Sequence, residues 1–366
     1  MDRIFLVLTL LLVGGGFFIF SSASFGLLLK AEGAFADTAR IQFFSVCIGL
    51  VALFLVAHIP LSFLRKYAWL FALAGALVMG AVLVPGWGIA HGGAVRWFSF
   101  GGISVQPGEF FKLGMVIALA AWLAYLRRAS VERTFLMFVL FLALAGTLFL
   151  LQPDTDSFAI LLVTACGMYA AAGLPRRHLL YLFCIAVIAG SALFFFRPYV
   201  ADRLTIFIDP DRDPHGAGYQ LKQSLIAVGN GGLVGKGFGR STQKFSYLPE
   251  PTNDSVFAVF AEEFGFAGTV ILVLLFTALA LRGLVLSTRA PDMFGSLLTL
   301  GCTLLIIGAA FLNIASMLGL APLSGLALPF ISKGGSAMLA SLIAAGLVLN
   351  VSRASALGVS RVRERG

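Results

Sequence analysis

The sequence predicts an all-α polytopic membrane protein with about ten transmembrane helices. Of its 366 residues, 59% are hydrophobic and 12% are charged, whereas about a quarter of the residues in a soluble domain carry charge. Apolar runs long enough to cross a hydrocarbon core of about 30 Å recur from one end of the chain to the other, and every second connection between them is basic. These observations exclude a soluble protein with a single anchor and favour one membrane domain over residues 1–366.

Each span is predicted from an apolar run that ends at charged, glycine-rich or proline-rich residues. The first run begins directly after Arg3 and has no separate small-residue cleavage site, so we expect it to be retained as a helix. The predicted spans cover residues 4–28, 38–58, 67–86, 107–126, 132–151, 157–174, 178–196, 255–281, 295–318 and 335–352.

The basic residues predict the orientation. They occur in alternate connections and in a tail over residues 353–366, as Arg65, Lys66, Arg127, Arg128, Arg176, Arg177, Arg282, Arg289, Arg353, Arg361, Arg363 and Arg365. Because positively charged loops stay in the cytoplasm, both termini are expected there. The connections over 87–106, 197–254 and 319–334 are then extracytoplasmic, and the longest of them joins helices 7 and 8. We expect this loop to be ordered, with a short amphipathic helix near 216–228.

The charge and the cysteines exclude two further classes of function. The net charge of +9 is spread among the loops, so topology explains it better than nucleic-acid binding does. The four cysteines stand inside apolar runs without a CxxC spacing, which predicts neither a disulfide framework nor a thiolate metal site.

Charged residues inside or beside apolar spans are candidates for function because their burial in a membrane is costly. Glu109 and Lys112 stand three apart at the outer start of the fourth span, where they either form a structural ion pair or line a polar cavity. Glu262 and Glu263 are adjacent in the eighth span and project in different directions, so at most one is expected to face a cavity.

The outer loop ends in a second group of candidates, just before the eighth span. Asp254 or Ser255 can cap the helix that follows. A carboxylate at this place could also act as a general base or bind a metal ion to activate a hydroxyl nucleophile.

Cationic side chains on the outer side could hold a diphosphate or lipid head groups; they are Arg96, Arg203, Arg212 and Lys244. The segment 319–336 ends in the turn Lys333-Gly334-Gly335-Ser336. It either holds an anion such as pyrophosphate or is a re-entrant loop that its prolines keep non-helical. The sequence shows no P-loop, serine nucleophile elbow or metal-ligand cluster.

Seven stretches spread along the chain resemble the SEDS family (shape, elongation, division and sporulation), of which FtsW, RodA and SpoVE are members. They are 93–97 (GAVRW), 106–112 (QPGEFFK), 152–154 (QPD), 218–220 (GYQ), 248–254 (LPEPTND), 261–263 (AEE) and 329–336 (PFISKGGS). Gln243 and Lys244, before 247–250 (YLPE), make the resemblance greater to FtsW than to RodA. Departures from the family pattern occur at Gly108, Asp156, Thr252, Ser255 and Lys333, where members usually have Ser, Gly, His, Phe and Tyr.

This resemblance implies a multi-pass protein of the bacterial cytoplasmic membrane. It implies a peptidoglycan glycosyltransferase that polymerises lipid II, the undecaprenyl-diphosphate-linked disaccharide-pentapeptide, outside that membrane, for division or elongation. It also implies a class B penicillin-binding protein as the transpeptidase partner, contacts with membrane lipids, and no nucleic acid. A divalent cation, Mg²⁺ or Mn²⁺, is expected, and no organic cofactor.

Within this resemblance Asp254 is the expected catalytic base or metal ligand. The expected substrate-binding residues are Arg96, Glu109, Lys112, Arg203, Lys244, Glu250, Lys333 and Ser336. Two rival functions stay open at this stage, a lipid II flippase and a non-catalytic scaffold for the transpeptidase. A transporter should show an internal repeat or paired interrupted helices, and the sequence shows neither.

Overall fold

The computed structural model describes residues 1–29, 34–91, 94–100, 103–125, 131–245 and 247–363. Its helices are α1 Arg3–Ser24, α2 Ala34–Val56, α3 Leu61–Lys66, α4 Ala68–Ala81, α5 Pro107–Tyr125, α6 Val131–Leu151, α7 Thr155–Ala171, α8 Arg176–Phe196, α9 Pro198–Ile208, α10 Ala217–Gly231, α11 Val256–Thr288, α12 Met293–Met317 and α13 Gly335–Arg363. Three strands lie between α4 and α5, namely β1 Ile89–His91, β2 Ala94–Phe100 and β3 Ile103–Val105. Gly93, Arg127, Arg128 and Arg365, which the sequence analysis used, fall outside the described residues.

The helices follow the predicted spans. Among the described residues, eight helices are long and apolar enough to cross a membrane, namely α1, α2, α5, α6, α8, α11, α12 and α13. The predicted spans 67–86 and 157–174 correspond to shorter apolar helices, α4 with 14 residues and α7 with 17. The polytopic helical fold is therefore confirmed, while the count of ten spans and the orientation stay predictions.

The core is built around α5, α12 and α13, which have the largest buried shares among the candidate spans. The helix α13 packs along α2, α5 along α4, and α12 against α5, α7 and α11. By contrast, α8 buries only His178 and Leu182 and presents apolar side chains outward. Lipid is the surrounding that suits such a surface.

The connection over residues 87–106 contains a small antiparallel sheet in the order β1-β2-β3. The sequence analysis expected no strands here. Ile89 lies opposite Trp97, and Phe98 lies opposite Val105. The sheet brings Arg96, on β2, to the N-terminal end of α7.

The long loop over 197–254 contains α9, α10 and two single-turn 3₁₀ helices, Pro210–Arg212 and Gln243–Phe245. The amphipathic helix predicted near 216–228 is confirmed as α10, which buries Leu221, Ser224 and Ala227 on one face. Asp213 begins this helix by accepting hydrogen bonds from the backbone N–H groups of Gly216 and Ala217 at 2.9 and 2.8 Å.

The helix α11 is interrupted at Gly265, whose φ of 65° and ψ of −164° are not helical. Beside it runs a segment that we call the outer arm, residues 231–245. The N–H groups of Lys236 and Gly237 donate to the Glu262 and Glu263 carbonyls at 3.1 and 2.9 Å. The N–H groups of residues 266 and 267 donate to the carbonyls of residues 232 and 233 at 2.8 and 3.0 Å. The arm thus satisfies backbone groups that a break in a membrane helix would otherwise leave unpaired.

Candidate functional site

Asp254 lies in the turn that precedes α11. The side chain of the following residue, Ser255, makes no hydrogen bond to the first turn of the helix although it stands at the N-cap. Instead, its hydroxyl accepts a hydrogen bond from Gln220 Nε2 at 3.0 Å. The predicted side-chain cap by Ser255 is therefore wrong.

The carboxylate of Asp254 is desolvated and partly unpaired. Its Oδ1 atom is buried and has no hydrogen-bond partner among the described residues. Burial raises the pKa of Asp254 to about 7; a hydrogen bond from Gln220 opposes the rise, and the nearby charge of Glu250 adds to it. A carboxylate with a pKa near neutrality can exchange a proton with a reacting group at physiological pH.

The backbone around Asp254 is held by the α12–α13 segment, residues 318–334, which contains no helix or strand. The Lys333 N–H donates to the Thr252 carbonyl at 2.7 Å. The Ser332 hydroxyl donates to the Asn253 carbonyl at 2.6 Å, and Asn313 Nδ2, on α12, donates to the Asp254 carbonyl at 2.8 Å. The side chain of Lys333 is itself exposed and forms no ion pair with any described residue.

Glu109 and Lys112 form an ion pair on α5, with a distance of 2.8 Å between Oε1 and Nζ. Both side chains are largely buried, and both line a cleft whose other walls include Leu326 and Pro329 of the α12–α13 segment. The predicted ion pair is thus present, and the cleft that the two residues line is otherwise formed mostly by apolar side chains. Leu326 connects this cleft to the turn of Asp254, because its carbonyl accepts from Asn313 Nδ2 at 2.7 Å.

Arg96 and Ser336 belong to one polar network at the N-terminal ends of α5, α7 and α13. Arg96 Nε donates to the Gln152 carbonyl at 2.8 Å, and its guanidinium lies 3.9 Å from Asp154. Gln106 Nε2 donates to the same carboxylate at 3.2 Å, while the Gln106 N–H donates to the Ser336 hydroxyl at 3.1 Å. The guanidinium of Arg96, predicted to bind substrate, thus donates its hydrogen bonds to protein groups.

Arg203, on α9, forms an ion pair with Asp156 at 2.5 Å and lies 4.6 Å from the ring centroid of Tyr199. The Gly325 N–H also donates to Asp156, at 3.4 Å. Asp156, where the family usually has glycine, therefore joins α9 to the α12–α13 segment. The exposed Arg212 is paired with Asp209 at 3.2 Å.

The structure does not leave Lys244 available to a ligand. Its ammonium is fully buried, lies 2.6 Å from Glu263 and donates to the Ser22 hydroxyl at 3.1 Å. Glu262 is buried as well, with Lys236 at 2.6 Å and the Ser241 hydroxyl at 2.5 Å. The two glutamates thus bind the outer arm to α11, and both carboxylates are paired with lysines of that arm. Sequence spacing could not reveal these contacts, because the partners stand 19 to 222 residues apart.

Three further polar side chains serve the site without having been assigned a role from the sequence. Gln220 and Ser332 stand inside the matched stretches, but the residue types alone gave no partner for either. Asn313 is a fully buried amide in an apolar helix, a signal that sequence analysis can use, since buried amides need hydrogen-bond partners.

The outer residues fit a divalent cation only in part. Mg²⁺ prefers oxygen ligands and usually keeps several waters beside one or two carboxylates and substrate phosphates. Asp254 Oδ1 is an unpaired oxygen of this kind. Among the described residues, however, no group of three or more His, Cys, Asp or Glu side chains could hold a metal ion. The site therefore suits a cation shared with a phosphorylated ligand better than one held by protein alone.

Comparisons with known proteins match nearly the whole chain. A family model for FtsW, RodA and SpoVE, described as "Cell cycle protein", matches residues 2–357. Stage V sporulation protein E of Bacillus subtilis (strain 168) is 36% identical over 359 residues, which cover 97% of each chain. A probable peptidoglycan glycosyltransferase FtsW of Nitrosococcus halophilus (strain Nc4) is 39% identical over 310 residues, 83% of this chain and 80% of the relative.

Solved structures share the fold. One is a chain from a structure described as the coordination of polymerization and crosslinking by a peptidoglycan synthase complex. It superposes with a TM-score of 0.80 at 29% identity and covers 97% of this chain and 98% of that one. The rod shape determining protein RodA of Thermus thermophilus superposes with a TM-score of 0.71 at 28% identity and covers 96% of each chain. The protein is therefore a multi-pass membrane protein, and it belongs to the FtsW/RodA/SpoVE family.

Proposed function

We propose that this protein is a peptidoglycan glycosyltransferase that polymerises lipid II at the outer face of the cytoplasmic membrane. Its family membership and the relatives named as glycosyltransferases support this activity. The observation that carries the chemistry is the carboxylate of Asp254, which has one buried oxygen without a partner among the described residues. Its turn is joined through Asn313 to Leu326, which lines the same cleft as Lys112, and is also held by the N–H of Lys333.

The proposed reaction joins two lipid-linked disaccharides. The 4-hydroxyl of one attacks the anomeric carbon of the other; the new glycosidic bond forms as the bond to undecaprenyl diphosphate breaks, with inversion of configuration. Asp254 accepts the hydroxyl proton as the new bond forms. Its pKa of about 7 suits a general base that works near neutral pH.

We propose that Lys333 and Lys112 hold the diphosphate of the leaving group, where cations stabilise the developing charge. Lys333 is exposed and makes no ion pair among the described residues, so its charge is available to a ligand. Lys112 is paired with Glu109, which positions its ammonium against the cleft. Arg96, Arg203 and Ser336 already bind protein groups, so their proposed part is to shape the outer surface around these cations.

A divalent cation at this site would offset the charge of the diphosphate. Asp254 is the residue that would hold it, together with oxygens of the substrate. We also propose a class B penicillin-binding protein as the partner that cross-links the product. The fold shared with a chain of a solved peptidoglycan synthase complex supports this partner.

Polymerisation of lipid II by purified protein tests the proposal. Wild type, Asp254→Ala and Asp254→Asn are incubated with lipid II and Mg²⁺ or Mn²⁺, with and without the transpeptidase, and the glycan strands are separated by length. We expect strands from the wild type and none from the Asp254 variants. Asp211→Ala is the control, because it removes an exposed carboxylate that pairs with Lys222 elsewhere on the outer loop.

Three outcomes would contradict the proposal. Unimpaired polymerisation by folded Asp254→Ala protein would refute the assignment of the base. Wild-type protein that moves lipid II across liposomes without joining it would favour a flippase. Protein that only stimulates cross-linking by the transpeptidase would favour a scaffold.

A further inference from the structure

Three consecutive carbonyls immediately before α11 are held from outside their own segment. They belong to Thr252, Asn253 and Asp254, and their donors are the Lys333 N–H, the Ser332 hydroxyl and Asn313 Nδ2. Two of the three donors lie on the α12–α13 segment and the third on α12. The backbone that carries the Asp254 carboxylate is therefore fixed by a part of the chain about 60 to 80 residues away.

Asn313 can make these contacts in one orientation only. Its Nδ2 atom donates to two carbonyls, of Asp254 at 2.8 Å and of Leu326 at 2.7 Å. Because both partners are acceptors, the amide nitrogen and not the oxygen must face them. The amide thus joins the turn of Asp254 to the α12–α13 segment, while the whole residue is buried.

The hydroxyl of Ser332 is fixed in the same way. It donates to the Asn253 carbonyl at 2.6 Å and accepts from the Leu328 N–H at 2.8 Å. Phe330, between these residues, is fully buried with a φ of 67°. A bulky residue in this backbone region is strained and persists only where its surroundings hold it. The segment is thus a firmly packed support for the turn.

We propose that Asn313 and Ser332 are positioning residues, which place the carboxylate of Asp254 relative to the acceptor hydroxyl through the backbone of the turn. This inference rests on the proposed role of Asp254 as the base. The same segment carries the exposed ammonium of Lys333, whose own N–H holds Thr252. A diphosphate bound by the Lys333 ammonium would therefore contact the same segment that holds the turn of Asp254.

Steady-state kinetics of lipid II polymerisation tests the inference with matched variants. Asn313→Ala and Ser332→Ala each remove one side-chain donor to the turn. Asn350→Ala is the control for the first, because Asn350 is also buried on a helix and its Nδ2 donates to two carbonyls, of Val56 and Ile59, both at 2.6 Å. Ser287→Ala is the control for the second, since Ser287 is also buried and its hydroxyl donates to a backbone carbonyl, that of Ser296, at 2.9 Å.

We expect kcat to fall about 10- to 100-fold in Asn313→Ala and Ser332→Ala, since small misplacements of a catalytic group have effects of this size. KM for lipid II should change little, because neither side chain is assigned to substrate binding. The controls should keep the wild-type kcat even where they lose a similar amount of thermal stability. If Asn313→Ala does not fold, Ser332→Ala decides the question.

Asp254→Ala, assayed in parallel, separates the two hypotheses. If it is inactive while the Asn313 and Ser332 variants match their controls in kcat, positioning is refuted and the base remains. If Asp254→Ala is fully active, the proposed base itself is refuted, whatever the other variants do.

Discussion

The proposed base combines two properties that its residue type alone does not supply. Asp254 is desolvated, so its pKa rises to about 7, and one oxygen has no partner among the described residues. Catalysis as a base requires the ionised form. The rate of polymerisation at saturating lipid II should therefore be low at pH 5 and rise to a plateau above about pH 8, with a midpoint near 7. A rate independent of pH between 5 and 8 would contradict this assignment.

The same pKa predicts a pH-dependent stability. The folded-state pKa of Asp254 lies above its usual value of 3.8, so the folded protein binds a proton that the unfolded chain releases. Stability is therefore lost as the pH rises from about 4 through about 7. Asp254→Asn removes this loss, and its Tm should exceed that of the wild type at pH 8. At pH 4 the two melting temperatures should converge, and a constant difference at both pH values would count against the raised pKa.

Lys244 contributes to the stability of the fold, and this contribution can be measured as a change in the free energy of unfolding. Its pair with Glu263 is fully buried, and removing one partner of such a pair costs about 3–5 kcal/mol because the other charge is left alone. We expect Lys244→Met to lose this amount and Lys244→Met combined with Glu263→Gln to regain much of it. Lys222→Met is the control, since its pair with Asp211 is exposed and exposed pairs contribute about 0–1 kcal/mol.

The sequence selected candidate residues better than it predicted their contacts. Asp254 could be selected because a carboxylate before an apolar helix is visible in the sequence and because it stands in a stretch that resembles the family. Lys244 looked equally available, since its burial depends on contacts with α1 and α11 that spacing does not encode. Asn313, by contrast, was visible as an amide in an apolar run, but only the fold reveals that it meets the turn of Asp254.

At the scale of the element, α11 departs most from its predicted form. The apolar run predicted one continuous span, whereas the structure breaks it at Gly265 and pairs the break with the outer arm. The signal for this lay in Gly265 of α11 and in glycines of the arm. A Cβ on Gly235 would come within 2.1 Å of the Glu263 carbonyl oxygen, and one on Gly231 within 2.1 Å of the Ala261 carbonyl oxygen.

Gly265→Ala tests this arrangement. The backbone of Gly265 lies in a region that is essentially restricted to glycine, which costs about 1–3 kcal/mol for another residue. A Cβ would also come within 2.3 Å of the Gly235 nitrogen. We expect a clear loss of stability, measured by unfolding in detergent. Gly190→Ala on α8 is the control, because no heavy atom lies within 4 Å of its added Cβ and alanine favours helix by up to about 1 kcal/mol.

At the scale of the whole molecule, hydropathy predicted the helices well because each one must bury its own backbone hydrogen bonds in lipid. The sheet over Ile89–Val105 was missed, since it lies in a connection where no such requirement applies. The exact limits of α4 and α7 were also missed, because their apolar runs extend beyond the residues that form helix.

The orientation can be tested by labelling single cysteines in a background without the four native ones. The positive-inside rule predicts that Asp211 is outside and Pro291 inside, and both side chains are exposed. In intact spheroplasts, a membrane-impermeant thiol reagent should label Asp211→Cys at once. It should reach Pro291→Cys only after lysis. The reverse pattern would place the proposed site on the cytoplasmic side, opposite to the face at which the proposed function requires it.

The break in α11 divides that helix mechanically. The residues before Gly265 are joined to the outer arm by backbone hydrogen bonds and by Glu262 and Glu263. The residues after Gly265 continue among lipids and neighbouring helices. A partner protein that binds to the outer arm and displaces it should therefore also displace the first part of α11, which directly follows the turn of Asp254. A tilt of the part after Gly265 would be absorbed at the break, so we expect the position of the proposed base to depend more on the outer arm than on the rest of α11.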